Sequence, residues 1–326
     1  MKRLSNWFGR FRLWLAIRRQ GRSRIPLLHR RWLLSHQRTF DRWVRANYCG
    51  AGWHQLLIRG ASVQPFVDLL NRPAGGEAYC GGVLFEDPST QPVLRHFRAN
   101  KAIDKPLTSW SNIVVRINDY GGRLFWCGPL AFHFGHQIAD FGSRVLLSSI
   151  DLRGGELLWF PWKTTSNFEE LKPWQRTLLW YLNPGEKKHL IINEPLHVKE
   201  LVVIPQQAPM RKAPTYAHLE ALGWCEQRLD RGKGGGVIYV SRHRFAPCSA
   251  ADTLVGAYAA EETLENLLIQ RGVKVIYPEN ISLEAQLDNY LGADALIFAE
   301  GSAQHCLELL GFHPEKPLVV ICRRPQ

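Results

Sequence analysis

Acidic residues are nearly missing from the start of this chain: among the first 45 positions Asp41 stands alone against thirteen lysines and arginines. That excess equals the +12 net charge of all 326 residues, and the remainder carries 28 basic and 28 acidic groups. The basic balance thus belongs to one segment, which argues against nucleic acid as a partner of the rest. No apolar run approaches the roughly 20 residues of a membrane-spanning helix, and Arg10, Arg12 and Arg18 interrupt any secretory signal core. The sequence reads as neither integral to a membrane nor exported. Its seven cysteines, Cys49, Cys80, Cys127, Cys225, Cys248, Cys306 and Cys322, form no Cys-x-x-Cys pair. That scatter argues for a reducing cytosol and against a zinc or disulfide framework. No Asp-x-Asp pair and no run of His and Cys ligands marks a metal site.

The length accommodates about two domains, and the sequence divides into a basic segment over 1–50, an α/β domain over 51–210 and a second over 211–326. In the basic segment Leu4, Trp7, Phe8, Phe11, Trp14 and Leu15 recur at helical spacing, with Arg10, Arg12 and Arg19 outside the stripe. One reading is an interfacial helix on an anionic membrane, which makes the protein cytoplasmic and peripheral at the inner face of the cell membrane. A helix packed on the protein body and a nucleic-acid arm are the alternatives.

From Gly234 onward the pattern is βαβαβαβ. Strands are expected at Val237 to Val240, Val273 to Tyr277, Ala295 to Ala299 and Leu318 to Cys322. Helices are expected at about Asp252 to Arg271, Ser282 to Leu291 and Ala303 to Leu310. Continuous apolar strands belong to a parallel sheet covered on both faces, which binds ligands beyond its C-terminal strand ends. The middle of the chain is less regular. Strands are expected there at Ile113 to Ile117, Leu124 to Cys127, Leu157 to Phe160, His189 to Ile192 and Leu201 to Ile204. Helices are expected near Gln137 to Ser149 and Phe168 to Leu182.

Two strand ends suit a diphosphate. Glu300-Gly301-Ser302-Ala303-Gln304-His305 turns from strand to helix, with a glycine for close approach, Ser302 as expected N-cap and the N–H groups of a first helical turn. Ser241-Arg242-His243-Arg244 offers two guanidinium groups for phosphate oxygens. In the middle of the chain, Gly128-Pro129 leads into His133-Phe134-Gly135-His136, where His136, Asp140 and Arg144 follow at one-turn intervals and share a helical face. His133, His136 and Asp140 form either a catalytic cluster or a buried hydrogen-bonded one.

These residues resemble glycosyltransferase family 61. The resemblance rests on Tyr239-Val240-Ser241-Arg242, Glu262, Pro278-Glu279, Ser282, Gln286, Gly301-Ser302-Ala303 and His305, in that order. The central His133-Phe134-Gly135-His136 with Asp140 and Arg144 is similar to the bacterial capsular members, and the matches span about Gly128 to Gly311. Glu261 and Cys306 stand where the family usually has asparagine, Asp140 replaces a more usual glutamate, and an arginine common before the Asn-Glu pair is missing near Tyr258.

The resemblance implies a GT-B-like α/β fold, two Rossmann-like domains with a ligand cleft between them, and transfer from a nucleotide-sugar donor to a glycan or lipid-linked glycan acceptor without an obligatory metal or other cofactor. On that basis Ser241, Arg242, Arg244, Glu279, Glu300, Gly301, Ser302, Ala303, His305 and Glu308 are expected at the donor. His136, with His133 as rival base and Asp140 as its partner, is expected at the acceptor hydroxyl. The Glu300-to-Glu308 spacing resembles retaining GT-B enzymes, whereas the family points to inversion. A membrane-associated nucleotide-sugar-binding or scaffold protein of the same fold with reduced turnover is the alternative.

Overall fold

Apolar runs sort the strands of this chain into two larger sheets, and the turns leaving those sheets carry the chemistry. A computed structural model of the chain describes residues 56–68, 79–84, 91–98, 101–102, 104–105, 117–131, 133–161, 167–210, 213–229, 235–245, 260–311 and 316–322. The segment expected over 1–50, most of the strand expected at Ile113 to Ile117 and the start of the helix expected from Asp252 lie outside those residues. Among the described residues, no helix is long and apolar enough to cross a membrane.

Among the described residues the first sheet has seven strands. In chain order its elements and their neighbours are β1 (Leu56–Asp68), β2 (Tyr79–Val83), α1 (Gln91–Leu94), the short β3 (Phe97–Arg98), β4 (Lys101–Ala102) and β5 (Asp104–Lys105), then β6 (Asn118–Leu130), α2 (Phe134–His136), α3 (Val145–Ile150), β7 (Glu156–Pro161), α4 (Pro173–Tyr181), β8 (His189–Ile191), β9 (Leu196–Val203) and α5 (Tyr216–Glu226). The sheet order is β5-β2-β1-β9-β6-β7-β8, and β3 pairs with β4 separately. Strands β9, β6, β7 and β8 run parallel, while β1 lies antiparallel to both β2 and β9. The sheet is therefore mixed, and only its β9-β6-β7-β8 block is parallel as in a Rossmann-like domain.

Side chains on both faces of β6 and β7 are buried. Leu124, Trp126, Leu158 and Phe160 join Val63, Val198, Leu201 and Val203 in one cluster, and Phe125, Cys127, Leu157 and Trp159 are each 0 % exposed. That double burial is why these strands read as unbroken apolar runs. Each large apolar side chain removed from water contributes about 1.5–3 kcal/mol before entropy is charged against it.

The second sheet holds β10 (Val237–Val240), β11 (Lys274–Ile276), β12 (Ala295–Ala299) and β13 (Leu318–Ile321). All are parallel, in the order β11-β10-β12-β13, so the βαβ reading holds here. Helices α6 (Glu261–Gln270) and α7 (Leu283–Gly292) form the crossovers. Ser282 caps α7 as expected, its Oγ accepting from Ala285 N at 3.2 Å.

Two expected helices are corrected. The one placed at Ala303 to Leu310 is a 3₁₀-helix over Ser302–Leu309, with Gly301 rather than Ser302 at its N-cap and no side-chain cap bond. Ser302 lies inside the first turn with its Cβ towards Gly135, so its hydroxyl does not close the turn from outside. The helix placed at Gln137 to Ser149 is broken into α2, a π-helical turn over Gln137–Phe141, and α3 beyond Gly142.

The halves of the chain meet through polar bonds as well as packing. Tyr181 OH at the end of α4 donates to Leu309 O at 2.9 Å. Glu226 at the end of α5 accepts from Gly311 N at 2.6 Å.

Candidate active site

Strand β6 ends at Leu130, and the turn beyond it is pinned by amide side chains. Ala131 N donates to Gln137 Oε1 at 2.6 Å and Ala131 O accepts from Gln175 Nε2 at 3.0 Å. Gln206 Nε2 donates to Asp140 O at 2.8 Å, which fixes the π-turn from a third side. On this platform His133 is the N-cap of α2, its Nδ1 accepting from His136 N at 3.4 Å. The two imidazole rings lie 4.5 Å apart between centroids. His136 Nδ1 meets Asp140 Oδ2 at 2.8 Å, the carboxylate buried to 1 % and the imidazole 38 % exposed. A buried carboxylate on Nδ1 orients the ring and leaves Nε2 as its basic atom.

Arg144 does not join this pair. Its guanidinium is buried and donates to the main-chain carbonyls of Val93 at 2.8 Å, Ile204 at 2.7 Å and Arg95. It ties α3 to the segments on either side, where a shared helical face with His136 and Asp140 was expected.

The 3₁₀-helix brings the second set of residues to the same place. A Cβ on Gly135 would stand 2.8 Å from His305 Cδ2 and 3.4 Å from Ser302 Cβ, so α2 and the start of the 3₁₀-helix are in direct contact. His305 Nδ1 pairs with Glu308 Oε1 at 2.6 Å. Two histidine–carboxylate pairs, His136–Asp140 and His305–Glu308, thus flank the contact. Next to them Arg242 lies across Gly301, where an added Cβ would fall 1.9 Å from Nη1 and 2.6 Å from Cζ.

His133 reports how these charges crowd together. Its pKa is lowered from the ordinary imidazole value, first by partial burial and then by the neighbouring His136, His305 and Arg242, with Asp140 opposing. Arg242 follows β10 and Gly301 follows β12, which are adjacent in the sheet. The chain leaves β10 for β11 on one side and returns to β12 on the other. The crevice at such a reversal, beyond the C-terminal strand ends, is where open α/β sheets hold ligands.

The remaining expected residues are spread around this centre. Glu300, Ser302 and Ala303 belong to the same turn as Gly301. Arg244 is stacked over the Tyr277 ring at 4.0 Å. Glu279 is exposed in the short 3₁₀ turn Pro278–Asn280 after β11, one strand further out. Ser241 is fully buried beneath the loop and faces carboxylates. Sequence reasoning did not single out Glu265, which lies with Glu261 under Ser241 and Arg242; the signal was their four-residue spacing on one face of α6. Among the described residues, no group of three or more His, Cys, Asp or Glu side chains is arranged to hold a metal ion.

A mixed α/β protein with paired histidines facing a basic strand-end crevice has the makings of a group-transfer enzyme. The family model described as Glycosyltransferase 61 matches residues 134–308, more than half of the chain. The chain belongs to this family and is a glycosyltransferase. No curated protein matches it.

Proposed function

We propose that this glycosyltransferase moves a sugar from a nucleoside-diphosphate sugar to a glycan or lipid-linked glycan hydroxyl in the synthesis of a capsular or other surface polysaccharide, with inversion and without an obligatory metal ion. The single observation that carries the reading is the meeting of His136–Asp140 with Arg242, Gly301 and His305 at one crevice. In a GT-B-like arrangement the donor lies on the second sheet and the acceptor enters from the first. Arg242 and the N–H groups after Gly301 take the diphosphate oxygens and offset the charge that grows as the sugar–phosphate bond breaks. The acceptor oxygen attacks the anomeric carbon and its proton passes to a histidine.

His136 is the better base of the two central histidines. Its Nδ1–H donates to Asp140, so Nε2 can accept a proton and the resulting cation is stabilised. His133 spends its Nδ1 lone pair on His136 N, which puts its own proton on Nε2 and makes that atom a donor. The aromatic and basic residues of the first 45 positions support a peripheral place on an anionic membrane at the cytoplasmic face.

Thermal shift of the purified chain against a panel of nucleotides and nucleotide-sugars tests the reading, since a ligand at 100 times its Kd adds about 2.7 kcal/mol. Sugar transfer from the donor so found to a glycan acceptor is expected next, with the anomeric configuration of the product read by NMR. No shift with any nucleoside diphosphate would remove the donor assignment. A shift without transfer would instead mark a binding protein of the same fold.

A further inference from the structure

The loop that carries Arg242 is built on two buried carboxylates that touch neither crevice histidine. Glu261 is 2 % exposed and Glu265 4 %, one helical turn apart on α6. Glu261 Oε1 accepts from Arg242 N at 2.8 Å and Tyr239 OH at 3.0 Å, with Ser241 Oγ 3.2 Å away. Glu265 takes Ser241 Oγ through Oε1, and through Oε2 Tyr277 OH at 3.0 Å and His243 Nδ1 at 3.4 Å. Glu261 Oε2 is buried with no hydrogen-bond partner among the described residues. Burying carboxyl groups is costly unless their oxygens are hydrogen-bonded, and three of these four oxygens are.

The entry to α6 shows a second cost. Ala260, at the N-cap, has φ 63° with no side-chain cap bond, a left-handed conformation that disfavours any residue with a Cβ. The strained residue delivers Glu261 directly into the first helical turn, where the helix dipole favours a carboxylate. From the Arg242 main chain held there, the guanidinium reaches across to Gly301 beyond the end of the next strand.

We infer that Glu261 is the positioning residue of the diphosphate loop: by fixing Arg242 N from below, its Oε1 sets the guanidinium over Gly301, without itself touching donor or acceptor. The inference rests on the donor reading given above. An oxygen that gathers a main-chain N–H and a tyrosine hydroxyl is more than a helix cap requires. It fixes the strand end and the loop as one piece, so that Arg242 loses little further freedom when a phosphate arrives.

Titration calorimetry of the full chain with uridine, guanosine and adenosine diphosphates, using whichever binds tightest, tests this. Glu261→Gln keeps an oxygen at the Oε1 position, and its Kd is expected within about threefold of wild type. Glu261→Asp withdraws that oxygen by one methylene, and a Kd weakened about tenfold is expected, on the scale of one lost charge-assisted hydrogen bond. In an Arg242→Ala background the same aspartate is expected to change Kd less than twofold, because the side chain it positions is gone. Glu261→Thr replaces the aspartate, with the same expectations, if the aspartate does not fold. Wild-type affinity in Glu261→Asp, or an undiminished effect beside Arg242→Ala, overturns the positioning role while leaving the donor site intact. A wild-type chain that binds none of the three diphosphates overturns both, and that result is visible before any variant is made.

Discussion

Gly135 and His305 come from opposite halves of the chain and leave no room between them for a methyl group: an added Cβ would lie 2.8 Å from His305 Cδ2. The ring cannot simply swing aside, because its Nδ1 is bonded to Glu308 at 2.6 Å. Gly135→Ala is therefore expected to cost about 1–3 kcal/mol, the range for overpacking, and to lower transfer activity with it. Gly223, inside α5, has nothing within 4 Å of its added Cβ, so Gly223→Ala should gain up to about 1 kcal/mol. Urea denaturation of both variants checks the contrast; an unaffected Gly135→Ala would mean the two halves do not meet there.

Gly301→Ala acts on a different kind of neighbour. The clash is with the far end of the Arg242 side chain, which can rotate away at little cost to the fold. Stability near wild type is expected, with nucleoside-diphosphate binding weakened by about 1.5–3 kcal/mol, as for Arg242→Ala. Calorimetry on the two single variants and the double variant checks it. Fully additive losses would show that Gly301 acts by itself rather than through Arg242.

His136→Ala should leave donor affinity nearly unchanged and reduce turnover by roughly 10² to 10⁴, the usual contribution of a positioned acid or base. Asp140→Asn, which keeps the shape but removes the charge on Nδ1, should be damaging to a lesser degree. His133→Ala should cost less than His136→Ala if the tautomer argument holds. Saturating single-turnover rates compare them, and a fully active His136→Ala enzyme would remove the assignment.

Acid should destabilise the fold through two histidines remote from this chemistry. Burial lowers His189 to about 4 and His218 to about 4. His189 accepts Trp159 Nε1–H on Nδ1 at 3.1 Å, which requires that nitrogen to be unprotonated. Because the folded pKa values lie below the unfolded value near 6.5, stability is complete above about pH 6.5 and is lost as the pH falls towards 4. The slope is about 1.4 kcal/mol per pH unit per histidine. Two histidines give a loss of about 2–3 kcal/mol between pH 7.5 and 5.5 in denaturant unfolding. His218→Leu should halve the slope; equal stability at the two pH values would contradict the burial argument.

Removing the residues before Arg22 should abolish sedimentation with anionic liposomes at low salt and leave the diphosphate response of the protein unchanged. The expectation rests on Trp7, Phe8, Phe11 and Trp14 together with the basic excess of the segment. Equal sedimentation of full-length and shortened protein would place membrane attachment elsewhere, or nowhere.

The second sheet was legible because β10 and β12 are short, wholly apolar and bounded by glycine or polar turns, so length and burial agree. Strand β1 was not, because Leu57 puts an apolar side chain on its exposed side and Gly60 interrupts the run. Helix α5 escaped as well: its apolar residues, Tyr216, Leu219, Ala221, Leu222, Trp224 and Cys225, lie all round the axis with no stripe. Each half of the site could be read as a motif, but nothing local predicts that Gly135 would face His305 or that Arg242 would cross Gly301. Those contacts join residues far apart in the chain and depend on how the sheets pack. Arg144 shows the limit of spacing arguments: its distance from Asp140 suits a shared face, yet the intervening π-turn and Gly142 send it into three carbonyls.

That π-turn also constrains how this sequence can change by insertion and deletion. A π-turn holds one residue more than the α-helical turn it replaces, and a residue advances an α-helix by about 100°. Deleting any one residue of Gln137–Phe141 would restore a plain helix while turning everything before it by that angle relative to everything after it. Gly135 could then not keep its contact with His305 while Arg144 kept its carbonyl partners, whatever amino acids remained. The placement of α2 against the second sheet is thus guarded by chain length as much as by residue identity.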